Sequence, residues 1–272
     1  MRMGFTALAV AAVMIPLILG YAYGQPSQNP PKPAFDVVSI HEWGPGQGPA
    51  GTFSAGIQFL TGRVRAQCVN LAALVFNAYQ LTGSEPLEGM PKWGHASCGE
   101  PDSRDTFAIE ATMPADTTIA QARQMIQTML AERFKFTAHW ETRQLPVYAL
   151  RIAPGRSKLK PSNTDKDAQF PAAPIGCPDD DANCHIGFYN SVTTTALAGM
   201  LSRALGRTVI DKTGLTGSYD FGILKWAGEE SSDSSLPSLP ALIREEFGLE
   251  LKPERSPVPV LIIDHAEKPT AN

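Results

Sequence analysis

A repeat at a spacing of 113 residues constrains the fold of this 272-residue chain more than any other feature of its sequence. Residues 132–153 align without a gap on residues 245–266 over about twenty positions. The alignment keeps a proline in place, since Pro146 falls on Pro259, and it keeps the spacing of the apolar residues. A β-α-β-β-α-β-β unit must cover its helices with a sheet face. We therefore expect an α+β fold of two similar units, with mostly antiparallel sheets and helices packed on one face.

Apolar periodicity and turn-forming residues divide the chain into segments. Residues 153–186 are rich in Pro, Ser, Asp, Asn and Lys, which predicts a linker or long loop between a first unit at 35–152 and a second at 187–272. Thr118 and Gln121 form a capping-box pattern, while Asn70 and Thr194 are predicted N-caps. Predicted helices cover 71–81, 119–134, 195–205 and 239–247, and predicted strands cover 35–40, 57–66 (two short strands or a hairpin), 107–112, 135–142, 146–152, 208–210, 218–226, 249–253 and 259–264.

The first 24 residues have the pattern of a secretory signal, with Arg2 before an apolar run at 4–19 and small residues at Ala22 and Gly24. The run of about 16 apolar residues is short for a membrane span, which takes about 20. An uncleaved N-terminal anchor is the alternative. Residues 25–34 follow as a flexible tether. We expect the folded part in the periplasm or outside the cell, with membrane contact only through the signal segment if it is not cleaved.

Four cysteines in an oxidising compartment favour disulfides. Cys177 and Cys184 are close in a loop-like stretch, which favours pairing them and leaves Cys68 with Cys98, although four cysteines allow three pairings. A metal site is the alternative because His185 follows Cys184. Its Cys-x6-Cys-His spacing is not that of a zinc knuckle. We therefore expect neither a metal nor another cofactor.

The motifs of common catalytic sites are missing from the sequence. It contains no His-Glu-x-x-His helix, no Gly-x-Ser-x-Gly elbow and no phosphate-binding or dinucleotide-binding glycine motif. The chain has 23 basic and 27 acidic residues, a net charge of −4, and no segment concentrates the basic ones. Such a distribution argues against a nucleic-acid partner. Together these patterns favour a protein without catalytic activity.

A few polar and aromatic residues at predicted strand ends are candidates for a pocket. Residues 41–43 form a His-Glu-Trp end to the first strand, and a loop anchored by tryptophan packing is the simpler interpretation there. The turn at 211–217 contains two glycines, and such a turn is more often architectural than ligand-binding. Asp264 and His265 are adjacent in a strand, so they face opposite sides and are not expected to pair. The candidate pocket residues are His41, Trp43, Trp93, Asp211, Lys212, Tyr219 and His265.

Seven segments in order carry a family likeness. They are LAALVFNAYQL (71–81), EGMPKW (88–93), FAIEA (107–111), MLAERFKF (129–136), LPVYAL (145–150), VIDKTGLTGSYDF (209–221) and IDHAEKP (263–269). Over about 35–270 the chain resembles the Solibacter-type secreted family of Acidobacteria, a domain of unknown function. Because that family has no established activity, the resemblance implies no catalytic residue. Some relatives carry the domain behind a membrane sensor metallopeptidase of the antirepressor type, which implies a role in envelope sensing or ligand binding.

These observations leave three functions open. The favoured one is a non-enzymatic module that binds a protein, a peptide or an envelope component, because open sheet edges can accept a partner strand. The alternative is a hydrolase whose site lies between the two halves and uses Asp264, His265 or His41. A purely structural secreted protein is the third.

Overall fold

A computed structural model describes residues 32–43, 56–96, 105–155, 157–162, 183–186, 189–221, 224–227 and 237–269. The predicted signal and most of the tether lie outside these ranges. The end of the tether is described, and the carbonyl of Pro33 accepts a hydrogen bond from Thr128 Oγ1 at 2.7 Å. In this part of the chain no helix combines the length and the apolar character needed to cross a membrane.

The structure contains four α-helices and a larger set of strands within the described ranges. The helices are α1 (Leu71–Ala78), α2 (Ile119–Arg133), α3 (Thr194–Leu205) and α4 (Leu239–Phe247), with a short 3-10 helix at Lys92–His95. The strands are β1 (Val37–Glu42), β2 (Gly56–Leu60), β3 (Arg63–Val69), β4 (Leu87–Glu88), β5 (Phe107–Thr112), β6 (Thr137–Ile152), β7 (Lys160–Pro161), β8 (Asn183–Ile186), β9 (Tyr189–Val192), β10 (Val209–Asp211), β11 (Tyr219–Phe221), β12 (Leu224–Ala227) and β13 (Leu249–His265).

An antiparallel sheet in the order β1-β5-β3-β2 forms the first layer. Buried residues alternate with more exposed ones along β5, so the buried residues all lie on one face of the sheet. This face covers the helices. Helix α2 begins with the capping box predicted from Thr118 and Gln121. Helix α3 is capped by Thr193 instead of the predicted Thr194, and it ends at Gly206 in a left-handed conformation. The α+β class with mostly antiparallel sheets is confirmed.

Strands β6 and β13 pair antiparallel along their whole length, and each is continuous. The expectation of two short strands in place of each, split before Pro146 and before Pro259, was wrong. Proline cannot donate to a ladder, but it fits a strand where its nitrogen points away from a partner. Within the described ranges only short strands flank this pair, with β10 beside β6 at 148–150 and β4 beside β13 at 261–262. The prolines therefore fit on those parts of the outer edges of β6 and β13 that the short strands leave unpaired.

Among the described residues, two hydrophobic cores are completed by an exchange of strand ends, and a third, smaller cluster shares Phe59 with the first of them. The first core contains α1, α2 and β5, together with Leu261 and Ile263 from the end of β13. The second core contains α3, α4 and β11, together with Leu150 from the end of β6. The described residues from Lys32 onward accordingly belong to one compact unit. Strands β7 and β8 lie within the predicted linker at 153–186.

If the two copies of the sequence repeat were related by two-fold symmetry, equivalent residues would make equivalent contacts. Several contacts in the structure match in this way. Tyr148 pairs with Val209, and Leu261, which is 113 residues beyond Tyr148, pairs with Leu87. In the first core the rings of Phe107 and Phe134 meet edge to face at 5.4 Å, and in the second core the rings of Phe221 and Phe247 do so at 4.9 Å. The repeat itself stays a prediction, and these contacts are the places at which to test it.

Candidate functional site

The structure does not bring the seven predicted pocket residues together in one of the described cavities. Tyr219 is part of the second core, whereas Trp93 packs against the first. Tyr219 is buried, and its hydroxyl donates to the carbonyl of Thr216 at 3.1 Å. None of the seven lines the cavities described below.

Asp211 ties the end of β10 to the start of α3. Its carboxylate accepts hydrogen bonds from the hydroxyls of Thr194 at 2.7 Å and Thr195 at 3.1 Å. It also accepts from the backbone N–H of Thr213 at 3.0 Å and from that residue's hydroxyl at 2.8 Å. Burial raises the pKa of Asp211, but the hydrogen bonds from Thr194, Thr213 and Thr195 outweigh it and hold the pKa below its usual value. With its lone pairs engaged in this way, Asp211 has the environment of an architectural residue.

Replacing Asp211 by asparagine should lower the free energy of unfolding by about 1–2 kcal/mol at neutral pH, because charge-assisted hydrogen bonds are lost. The folded-state pKa lies below the unfolded one, so this stabilisation is present at neutral pH and disappears as the pH falls through the folded-state pKa. Urea unfolding at several pH values should therefore show the difference from wild type shrinking as the pH is lowered to the range in which folded Asp211 takes up its proton. The exposed Asp116→Asn variant is the control, and a difference that does not change with pH would contradict the assignment.

Lys212 belongs to an ion-pair group with Glu254 of β13 and Arg151 of β6. Its ammonium contacts Glu254, which also receives Arg151 Nη2 at 3.0 Å. Hydrogen bonds from Lys212 and then Arg151 hold the pKa of Glu254 below its usual value. Exposed pairs of this kind contribute little to stability. Lys212 is therefore engaged with its own chain, as Asp211 is.

The predicted histidines also bond to nearby partners. His265 Nε2 is 2.9 Å from Glu267 Oε1, whereas the adjacent Asp264 bonds to His139 at 2.9 Å. Asp264 and His265 therefore do not pair, as expected from strand alternation. His41 Nε2 is 2.8 Å from Ser39 Oγ. Among the described residues, the three groups named for a hydrolase site do not bond to one another.

The structure describes only part of the surroundings of Trp43 and only some of the cysteines. The N–H of Trp43 donates to the carbonyl of Thr106 at 2.7 Å, and the residues that follow it lie outside the described ranges. Cys68 is buried and is not a free thiol. Cys98 and Cys177 lie outside the described ranges, and the side chain of Cys184 is not described. The proposed disulfide pairing stays a prediction. Within the described ranges no three acidic, histidine or cysteine side chains group as metal ligands.

A groove between α1 and α3 is the largest of three described cavities, with a volume of about 460 Å³. The others measure about 210 and 340 Å³. Its apolar surface comes from Ala73 and Phe76 on α1, Leu81 after that helix, and Ala196 on α3. We call it the α1–α3 groove. Its size is that of a pocket for a small ligand.

The polar side of the α1–α3 groove contains two arginines, Arg123 of α2 and Arg203 of α3, with Asn77 and Gln80. Arg123 Nη1 donates to Gln80 Oε1 at 2.9 Å, and its guanidinium lies 5.9 Å from the centre of the Phe59 ring. Arg123 Nε and Asn77 Oδ1 are both buried without a hydrogen-bond partner. Unpaired buried polar atoms are uncommon in folded proteins. Two residues that line the groove therefore each keep a buried polar atom, one donor and one acceptor, that the chain leaves unpaired.

Close backbone packing at Gly199 brings Thr82, which lines the α1–α3 groove, against α3. A Cβ at this position would lie 2.6 Å from the carbonyl carbon of Thr82. Arg203 Nη1 reaches the same carbonyl, with a distance of 3.3 Å to its oxygen. The loop after α1 is thereby held directly against α3.

The groove is not evident from the sequence, because its wall comes from three helices that are far apart in the chain. One local signal was available, since an isolated glycine inside a helix pattern often marks a close approach of backbone. Gly199 is such a glycine, within α3.

Comparison with known proteins identifies a family for this chain but no activity. No curated protein and no solved structure gives a significant match. A model for proteins of unknown function, DUF3738, matches residues 72–266, or 195 of the 272 residues. The matched range contains every residue that lines the groove. The chain belongs to the DUF3738 family.

Proposed function

We propose that this protein is a non-enzymatic binding module and that its ligand site is the α1–α3 groove. The observation that carries the proposal is a cavity of about 460 Å³ lined by Arg123 and Asn77, each of which keeps a buried polar atom without a hydrogen-bond partner. By contrast, the polar groups of Asp211 and Lys212 are engaged by their own chain. A groove with an apolar wall and a few convergent polar groups is the usual form of a ligand pocket.

We further propose that the module acts outside the cytoplasm. The signal pattern at 1–24 and the resemblance to the secreted Solibacter-type family of Acidobacteria support this location. The relatives that carry the domain behind a membrane sensor peptidase support a role in envelope sensing. In such a role the groove would take a ligand released from a protein, a peptide or an envelope component.

A groove-blocking variant tests whether ligands bind at this place. Ligand-observed NMR with a library of small neutral, cationic and anionic compounds should show saturable binding of at least one class to the wild-type protein. Ala73→Trp should abolish that binding, because Ala73 lines the groove. Ala131→Trp adds the same bulk at an exposed position of α2 and should leave it unchanged. Absence of binding, or binding that Ala73→Trp does not affect, would overturn the proposal.

A hydrolase is the second candidate, and one contact favours it. Ser39 Oγ and His41 Nε2 lie 2.8 Å apart, a distance suitable for a nucleophile and its base. Ser39 also lines the cavity of about 340 Å³. Within the described ranges, however, no third group orients the His41 ring, and His41 is exposed. The binding proposal predicts no turnover of ester, peptide or glycoside substrates, whereas turnover that is lost in Ser39→Ala and kept in His265→Ala would establish the hydrolase.

A further inference from the structure

We infer that the ligand of the α1–α3 groove is the carboxylate end of an N-acylated amino acid or peptide. Arg123 would bind the carboxylate, and Asn77 would accept the neighbouring amide N–H. The inference rests on the proposed function, because it identifies the ligand of the same site.

The charge of Arg123 is the first reason. This side chain is partly buried, and among the described residues no carboxylate pairs with it. Its hydrogen bond goes to the neutral amide of Gln80, and Nε has no partner. Removing a charge from water is costly unless it is paired and hydrogen-bonded. A planar guanidinium matches a carboxylate with two parallel hydrogen bonds, so a carboxylate ligand supplies what the site lacks.

The unpaired acceptor is the second reason. Asn77 lines the same groove as Arg123, and its Oδ1 is buried without a donor. A simple carboxylate would leave this oxygen unsatisfied, because it offers no donor. An acylated amino acid carries an amide N–H beside its carboxylate, so it matches both atoms. Side-chain rotation of Asn77 and Arg123 is needed to bring the two atoms to the surface of the groove.

The apolar wall and the second arginine define the remainder of the ligand. Phe76, Leu81 and Ala196 offer an apolar surface to the side chain of the amino acid. A free amino acid carries an ammonium group next to its carboxylate, and that cation would lie in a groove lined by Arg123 and Arg203. Like charges disfavour that arrangement. The groove should therefore prefer an acylated nitrogen to a free one.

Three matched probes test this inference by isothermal titration calorimetry with the full chain. N-acetyl-L-leucine carries the carboxylate and the amide, N-acetyl-L-leucinamide replaces the carboxylate by a neutral amide, and leucine has a free ammonium. We expect N-acetyl-L-leucine to bind at least tenfold more tightly than either of the others. Equal affinities of the acid and the amide would overturn the inference.

Single substitutions test which side chains contact the ligand. Arg123→Gln should reduce the affinity for N-acetyl-L-leucine to that of the amide, and Asn77→Asp should weaken it at least tenfold because it adds a like charge. Arg255→Gln, which removes an arginine outside the groove, should have no effect. Circular dichroism and urea unfolding establish that each variant is folded, and Arg123→Lys, which keeps the charge but not the fork of donors, replaces Arg123→Gln if the latter does not fold.

The two proposals fail in different ways. If another class of compound binds and Ala73→Trp abolishes that binding, while N-acetyl-L-leucine does not bind, the carboxylate assignment is wrong and the groove remains a ligand site. If no class binds, both proposals are wrong.

Discussion

Replacing Gly199 by alanine should lower the free energy of unfolding by about 2–3 kcal/mol, measured by urea denaturation followed by circular dichroism. Helix propensity alone predicts the opposite sign, a gain of about 1 kcal/mol for alanine inside a helix. The steric effect outweighs that gain because the new Cβ would be 2.6 Å from the carbonyl carbon of Thr82. That atom belongs to the backbone, so it cannot rotate away, and α3 must separate from the loop after α1.

Gly214→Ala separates this steric effect from a conformational one. Gly214 has a φ of +69°, and a Cβ there would meet no atom within 4 Å. Its replacement should cost only the strain of a left-handed alanine, about 1 kcal/mol. A stabilising effect of Gly199→Ala would contradict the close packing of α3 on Thr82. It would also contradict the described wall of the α1–α3 groove, which includes Thr82.

Replacing Phe134 by alanine should lower the free energy of unfolding by about 3–5 kcal/mol, the range for a fully buried phenylalanine. Phe134 is 0% exposed and contacts Phe107 edge to face. Phe247→Ala in the second core should have a similar effect, since Phe247 makes the corresponding contact with Phe221. Because strand ends are exchanged between the cores, each variant should still unfold in a single transition by both circular dichroism and fluorescence.

Trp140→Ala is the control for the two core variants. Trp140 is 47% exposed, so its truncation should cost well under the value for a buried aromatic residue, about 1 kcal/mol or less. A similar loss for Trp140→Ala and Phe134→Ala would contradict the burial of Phe134. Two separate transitions in either core variant would show that the cores unfold independently.

Local patterns predicted most of the secondary structure. The N-cap at Asn70 and the capping box of α2 depend on side chains within three residues of each other, so the sequence displays them directly. The strand at 107–112 was predicted at its observed bounds, because its buried residues alternate. The continuity of β6 and β13 was missed, since a proline is compatible with a strand only where its partner is known.

The candidate site was much less predictable than the fold. Asp211 and Lys212 are candidates in the sequence because they are polar residues at a turn. Their partners come from distant segments, since Asp211 accepts a hydrogen bond from Thr194 and Lys212 forms an ion pair with Glu254. The groove depends on Asn77, Arg123 and Arg203, which lie on three helices. A single sequence does not show that these helices meet.

The exchange of strand ends determines the order in which the chain can fold during its synthesis. The first core includes Leu261 and Ile263, which are translated after every residue of the second core. N-terminal domains generally fold first as a chain emerges from the ribosome, but here the N-terminal core lacks part of its apolar surface until the end of β13 is made. For a chain that we propose to be exported, this dependence postpones stable folding until β13 has been synthesised and leaves time for transport in an unfolded state.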